Sequence, residues 1–548
     1  MKYRNLFTLG SVLLVFAFSQ AVNADTAREK ELEAKVQQLE KQLDDANQTI
    51  AELQQQLGES PETTEEPQLA DSAPVEAEPV EADPVESQAH ARQPTGTALR
   101  VSRQNDTTTP ASVSNVGWKD LMLGGVEDVS RLQHLVPGLR FGQTGNDVRL
   151  GMRGARSNSI GPETSNVVAM YEDGVYTATS TEGMWSYMDV ERIDVLRGPQ
   201  ITTFGQHAYA GAVSVVSNKP SFDGFGGYAE MENGLPDKTR WRLALNAPAT
   251  DTLAFRVAGI SESRSGWVDN AHIGSDADDL KDRKVQSIRV SMLWQPRDDF
   301  NLLFWSRYHD ENGTGSGPWG YQQVGAYVDG EYLPGNQFSP DSDGSPWTVI
   351  RNFVSTTTYE NWVNTLDLDW DMGFADLRWL FNFTSFHGKQ LYDNDYSDKG
   401  LPRTSAFSGW ETDQTGWSNE LRMTSHPGKH FNWLVGLYLS DRNAEWGWQE
   451  TIRGVTSQPG WDVNGKYSTD TQAVFGQVSY DFNDHWGVTG GLRWNDQGKK
   501  LRTGEKDSWD DLLWKAALQY SFSARSMTYF SASSGYRAGG VNSAPGVN

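Results

Sequence analysis

The 548-residue chain contains no cysteine, so neither a disulfide framework nor a thiolate metal site is available to it. Basic residues are scarce: 47 Lys and Arg stand against 72 Asp and Glu, a net charge of -25. That balance argues against nucleic acid as a partner and against attachment to anionic lipid through basic patches. Beyond the first 24 residues no apolar run approaches the roughly 18 residues of a membrane helix, so a bilayer could be crossed only by a closed β-barrel. The nine histidines show no metal-ligand spacing, and there is no HExxH, Gly-x-Ser-x-Gly or phosphate-cradling loop. No catalytic residue, resident metal or cofactor is expected, and the chain does not read as an enzyme.

What is present falls into blocks. Residues 1–24 read as a secretory signal: Lys2 and Arg4 precede a mostly apolar run from Leu6 to Phe18, and Val22-Asn23-Ala24 offers a small-residue cleavage pattern. In residues 25–58, Leu32, Val36, Leu39, Leu43, Ala46, Ile50, Leu53 and Leu57 keep the 4,3 spacing of a coiled-coil seam, which suits self-association or a periplasmic partner. A single amphipathic helix lying on another surface is the alternative. Residues 59–95 form an acidic, Pro-rich linker, with ten acidic residues and no Lys or Arg between Glu59 and His90, expected to be an extended tether.

The stretch from Asp189 to Pro220 carries the most information. Arg192 to Leu196 alternates polar and apolar residues and meets the turn-forming pair Gly198-Pro199. Small residues follow, among them Gly205, Ala208, Ala210, Gly211 and Ala212, and then a second strand from Val213 to Ser217. This order, Glu191-Arg192 leading into a strand, then Leu196-Arg197-Gly198-Pro199, then Phe204-Gly205, resembles the plug-domain signature of TonB-dependent outer-membrane receptors. Val136-Pro137-Gly138-Leu139, Met152-Arg153-Gly154 and Met170 to Tyr176 resemble earlier plug segments in the same order. The resemblance implies a TonB box and plug over residues 96–220, with the box at Ala98, Leu99, Arg100, Val101 and Ser102. Such a box is an edge strand that pairs with a TonB-type inner-membrane energy transducer by β-augmentation. It also implies that Arg153 and Arg197 face glutamates on a barrel wall, Glu420 being one candidate partner and the second expected in a later strand than those present.

Beyond Pro220 the period is two. Leu366, Leu368 and Trp370 alternate with Thr365, Asp367 and Asp369, while Leu377, Trp379, Phe381 and Phe383 alternate with Arg378, Asn382 and Thr384. Trp486, Val488, Gly490, Leu492 and Trp494 repeat the theme. One face suits outer-membrane lipid and the other water. Links near 247–251, 296–299, 372–375, 426–429, 483–484 and 523–524 are short. Those near 263–283, 311–357, 388–415, 444–470 and 497–510 are long. We expect a mainly β protein: an α+β plug, then a transmembrane antiparallel β-barrel over 221–548. About 13 strands are legible, against the 22 of a plugged transporter barrel. Gly535 to Gly540 resembles a mid-barrel segment, so the chain is expected to stop inside the barrel.

The resemblance implies import of a scarce ligand into the periplasm, most often a ferric siderophore and otherwise haem, cobalamin or a carbohydrate. Ligand-contact candidates are Arg156 and Tyr176 on the plug and Trp319 and Tyr321 on a long aromatic-rich loop. A coiled-coil envelope scaffold or an inactive receptor remnant is the competing reading.

Overall fold

A computed structural model describes residues 111–539 except 145–146, 157–165, 178–181, 206–207, 236, 271–279, 315–325, 329–330, 334–347, 350–354, 394–404, 427–429, 453–454, 458–464, 502–504, 524–525 and 538. The chain divides into two units, 1–88 and 89–548, and all described residues lie in the second. The signal, coiled-coil, linker and TonB-box expectations, and the loop residues Trp319 and Tyr321, lie outside the described residues.

The plug comprises β1 (Ser112–Gly117), α1 (Trp118–Leu123), α2 (Val129–Leu132), β2 (Leu139–Thr144), β3 (Asp147–Met152), β4 (Ala155–Arg156), β5 (Val168–Glu172), β6 (Val175–Thr177), β7 (Val190–Arg197), α3 (Ile201–Phe204) and β8 (Gly211–Ser217). Five strands form one sheet in the order β1-β7-β8-β5-β6, and β2-β3-β4 form a second. The central strand β8 is buried at every position, as its unbroken small and β-branched residues require. Gly211 is obligatory there, since a Cβ would sit 2.4 Å from the Leu196 carbonyl oxygen. Asp128 caps α2 by accepting from the Ser130 amide at 2.9 Å. Leu121, Val129, Leu132, Leu139, Ile193 and Val213 are among the buried side chains of one continuous apolar core.

The wall is built from β9 (Gly226–Gly234), β10 (Lys238–Thr250), β11 (Leu253–Arg264), β13 (Arg283–Arg297), β14 (Phe300–Gly313), β18 (Thr356–Asp371), β19 (Ala375–Asp393), β20 (Ser405–Ser425), β21 (Phe431–Ile452), β23 (Gly465–Asp481), β24 (Trp486–Leu501), β25 (Lys506–Ser523) and β26 (Ser526–Ser533). Consecutive members pair antiparallel in one path of 13 strands running from β9 to β26. Its two end strands are not bonded to each other among the described residues, so the barrel is not closed. Short pieces decorate the long loops: β12 (Asp269–Asn270) pairs with β17 (Thr348–Val349), β15 (Ala326–Val328) with β16 (Glu331–Leu333), and β22 (Val455–Ser457) with β21.

Links alternate between two rims as expected, but several strands run further into the long-loop side, where the β9–β10 and β24–β25 links are only 235–237 and 502–505. β19, β20 and β21 have 19, 21 and 22 residues, where a tilted membrane strand needs roughly 9–11. The pleat sorts the side chains cleanly. Leu437, Leu439, Val474, Leu492 and Leu512 point outward and are about half exposed, while Arg422, Thr471, Arg493 and Asn495 point inward and are buried. Outward aromatics mark the two edges of this apolar band, Trp362, Trp417 and Trp494 towards the long loops and Trp294, Trp370 and Trp486 towards the short turns. No helix among the described residues is long and apolar enough to cross a membrane.

Candidate functional site: the plug and barrel-wall interface

The inward face of β10–β14 is basic. Arginines at alternate positions, Arg240 and Arg242 on β10, Arg283 and Arg289 on β13 and Arg307 on β14, are all buried. A buried guanidinium needs a carboxylate; neighbouring strands supply some, Glu230 to Arg242, Glu262 to Arg240 at 2.9 Å and Glu311 to Arg283 at 2.8 Å, and the plug supplies others. The β5–β6 turn presents Glu172 and Asp173. Glu172 accepts from Arg289 Nη1 at 3.1 Å and from Arg307 Nε at 3.0 Å, and Arg289 Nη2 lies 2.7 Å from Asp173 Oδ2. Asp189 receives both Arg256 Nε (2.6 Å) and Nη2 (2.8 Å), a bidentate pair. Before α2, Glu127 meets Lys238 and Arg240, and Asp128 meets Arg283 at 3.7 Å. Burial alone would raise the Glu127 carboxyl, but Arg240 and Lys238 hold it below the usual carboxylate range. Stacking adds to the charge pairing, because Arg242 lies over the Trp118 ring (4.7 Å) and Arg307 over Trp185 (4.9 Å).

Among the described residues the two plug arginines make contacts within the plug. Arg197 donates to the Pro137 carbonyl (3.0 Å) and to the hydroxyls of Ser112 (3.2 Å) and Ser114 (2.7 Å), all within the plug. Arg153, in a left-handed conformation at φ 53, lays its guanidinium against the Gly198 turn, where a Cβ would come within 2.9 Å. Glu420 does point into the lumen, but its partner is Arg422 at 2.7 Å on the same strand. Among the described residues, the charged pairs between plug and wall put the cation on the barrel and the carboxylate on the plug. The signal was legible: arginine at an inward register position of a lumen strand demands an acidic partner, and Tyr171-Glu172-Asp173-Gly174 stood ready.

The other signature residues have local roles. Glu191 pairs with Arg192 at 2.6 Å, and Arg192 reaches Asp194 at 3.2 Å. The amide of Gly198, which precedes Pro199, donates to the Ala210 carbonyl at 2.9 Å and closes the turn. Gly205 (φ 72) leaves room for the barrel's Arg493, whose Nη2 would lie 2.9 Å from a Cβ there. Of the ligand candidates, Arg156 is exposed at the end of β4. Tyr176 is half-buried against Tyr171 with ring centroids 5.6 Å apart, and burial pushes its phenol up. Two groups of potential metal ligands assemble from distant positions, Asp371, Asp376 and His426 at the short-turn rim and His387, Glu411 and Asp413 on β19 and β20. Linear spacing could not reveal either.

A small folded plug clamped inside an antiparallel wall with an apolar outer band defines a gated outer-membrane barrel. Residues 105–212 match the TonB-dependent receptor plug domain and residues 293–547 the TonB-dependent receptor-like β-barrel, together more than half of the chain. The chain belongs to the TonB-dependent receptors, a family of outer-membrane transporters and not of enzymes. It is 23% identical over 478 residues to the pesticin receptor of Yersinia enterocolitica, covering 83% of this chain and 66% of that one. In fold it is similar to the ferric yersiniabactin uptake receptor of Yersinia pestis, at TM-score 0.67 and 19% identity over 81% of this chain and 67% of that chain. The ferripyoverdine receptor of Pseudomonas aeruginosa gives TM-score 0.61 and 15% identity over 77% and 56%. The chain thus spans about two thirds of the length of the curated relatives that it matches over most of its length.

Proposed function

We propose that this protein is an energy-coupled receptor that imports a ferric siderophore into the periplasm. The carrying observation is the clamp: an independently cored plug is held in the lumen by buried ion pairs, so passage requires work on the plug rather than diffusion through a pore. Breaking one buried pair costs about 3–5 kcal/mol, and seven such pairs hold the plug to one wall, so releasing the whole set calls for applied work. The work is assigned to a TonB-type transducer drawing on Ala98 to Ser102 as an added strand. The iron ligand follows from the relatives, whose names include receptors for ferric yersiniabactin, ferrioxamine B and ferric enterobactin. Haem, cobalamin and carbohydrate are the competing cargoes, and a coiled-coil scaffold the competing role.

The test is uptake of iron-55 from a panel of ferric siderophores in cells stripped of other receptors, with and without the proton-motive force. Val101→Pro should abolish uptake while leaving surface binding intact, because proline removes a donor from the added strand. Uptake that persists in that variant, or in de-energised cells, refutes the coupling.

A further inference from the structure

The two described walls treat the plug differently. Strands β10–β14 hold it through seven charged residue pairs, from Lys238–Glu127 to Arg307–Glu172. Across the lumen, the wall from β20 to β25 contributes one among the described residues, Arg442–Glu182 at 3.1 Å. Below it the contacts are neutral, as where the Thr202 hydroxyl donates to Gln477 Oε1 at 3.0 Å.

That second wall carries a ladder of its own. On β24, Lys499, Gln497, Asn495 and Arg493 occupy successive inward positions, a polar track of about 20 Å at the rise of an extended strand. Arg493 is 3% exposed and makes no ion pair among the described residues; Glu420, the lumen carboxylate whose charge reaches it, is bound to Arg422 at 2.7 Å. Its Nε donates to Asn495 Oδ1 at 2.7 Å, and its guanidinium stacks over Phe475 (4.9 Å) and Tyr438 (5.8 Å). Asn495 Nδ2 and Gln497 Oε1 are buried with no protein partner. Lys515 follows on β25 opposite Gly491, and the nearest carboxylate by register, Asp511 opposite Asn495, is exposed. A buried guanidinium with no carboxylate bound directly to it is costly, and the cost is relieved when an anion sits beside it.

We propose that an anionic ligand passes between the plug and the β23–β24 wall, with Arg493 as its charged station, while the β10–β14 wall stays clamped. This rests on the importer reading. The plug then tilts away from one side of the lumen and need not leave it.

The absence of cysteine makes the path directly mappable. Ala473, inward on β23 opposite Asn495, and Ala258, inward on β11 opposite Arg289, are both buried, and cysteine adds one sulfur atom at each. Ala473→Cys and Ala258→Cys receptors in whole cells are treated with thiosulfonate reagents of matched size, one bearing a sulfonate and the other a trimethylammonium. The sulfonate is expected to modify Ala473→Cys about tenfold faster than the cation, by local electrostatic enrichment, and Ala258→Cys should react far more slowly with either. Arg493→Gln should erase the preference and Arg493→Lys should keep it, which separates charge from packing. Equal reaction at both walls, a cation preference, or a preference untouched by Arg493→Gln overturns the path. Reaction that keeps the wall and charge preferences but ignores the proton-motive force overturns the importer reading alone.

Discussion

In the plug, apolar residues lie at the centre and charges at the rim; in the wall, the order is inverted. The plug sheet buries its central strand on both faces and holds together by packing. The wall has its apolar side facing outward and a largely polar inner surface, held from within by strand pairing, by ion pairs between its own strands such as Arg378–Asp367, and by the plug's counter-charges. The two parts are incomplete in opposite senses. The wall's inner arginines are costly without the plug's carboxylates, whereas the plug has a core of its own.

That contrast can be broken most severely at the interface. Glu172→Ala leaves Arg289 and Arg307 without their shared carboxylate and is expected to destabilise the seated plug by about 3–5 kcal/mol. Hydrogen exchange should show the plug opening while the strand ladder stays protected. On the lipid side, Leu437→Arg places a charge in the apolar band and is expected to cost about 2–4 kcal/mol of barrel stability in bilayers, with plug packing unaffected. Within the plug, Gly211→Ala forces a methyl against the Leu196 carbonyl and should cost about 1–3 kcal/mol, read as a lower unfolding midpoint of the plug transition.

A pH effect should separate the two parts further. Burial pushes the Asp194 carboxyl up to about 6, with Arg192 offsetting part of the rise. Its folded pKa therefore lies above its unfolded value near 3.8, so its stabilising protonation is complete below about pH 4 and lost as pH climbs through 6. Asp194→Asn should flatten that slope and raise plug stability at pH 7 in a thermal scan; an unchanged slope would remove Asp194 as its source. The smallest effect is expected at Lys389–Glu411, a half-exposed pair on the outer face of β19 and β20, whose loss should cost less than about 1 kcal/mol.

Much of this was legible in the chain. Alternation such as Leu366, Leu368 and Trp370 against Thr365, Asp367 and Asp369 placed the faces correctly, because a strand has no third choice of direction. The Gly198 and Gly205 turns were legible for a similar reason: their positive φ excludes most side chains. Partner choice was not. Arg197 and Glu420 carry opposite charges and both fit the family pattern. Yet Arg197 finds serine hydroxyls and a carbonyl within its own sheet, and Glu420 finds Arg422 two residues away. Local acceptors outcompete distant ones, and their nearness depends on register between strands far apart in sequence. Strand length also escaped the sequence reading, since above the apolar band β20 and β21 continue with charged outward residues that resemble loop.

Those overlong strands have a consequence for what the cell presents to its surroundings. With roughly ten residues beyond the membrane requirement, the paired β20 and β21 strands stand on the order of 25 Å proud of the lipid on the long-loop side as a hydrogen-bonded ribbon. Its outer face holds fixed charges, among them Asp413, Asp441 and Glu445. Antibodies, phage tails or bacteriocins approaching the cell would meet a rigid, acidic and repeatable relief there, a surface that can be recognised by shape before any loop is touched.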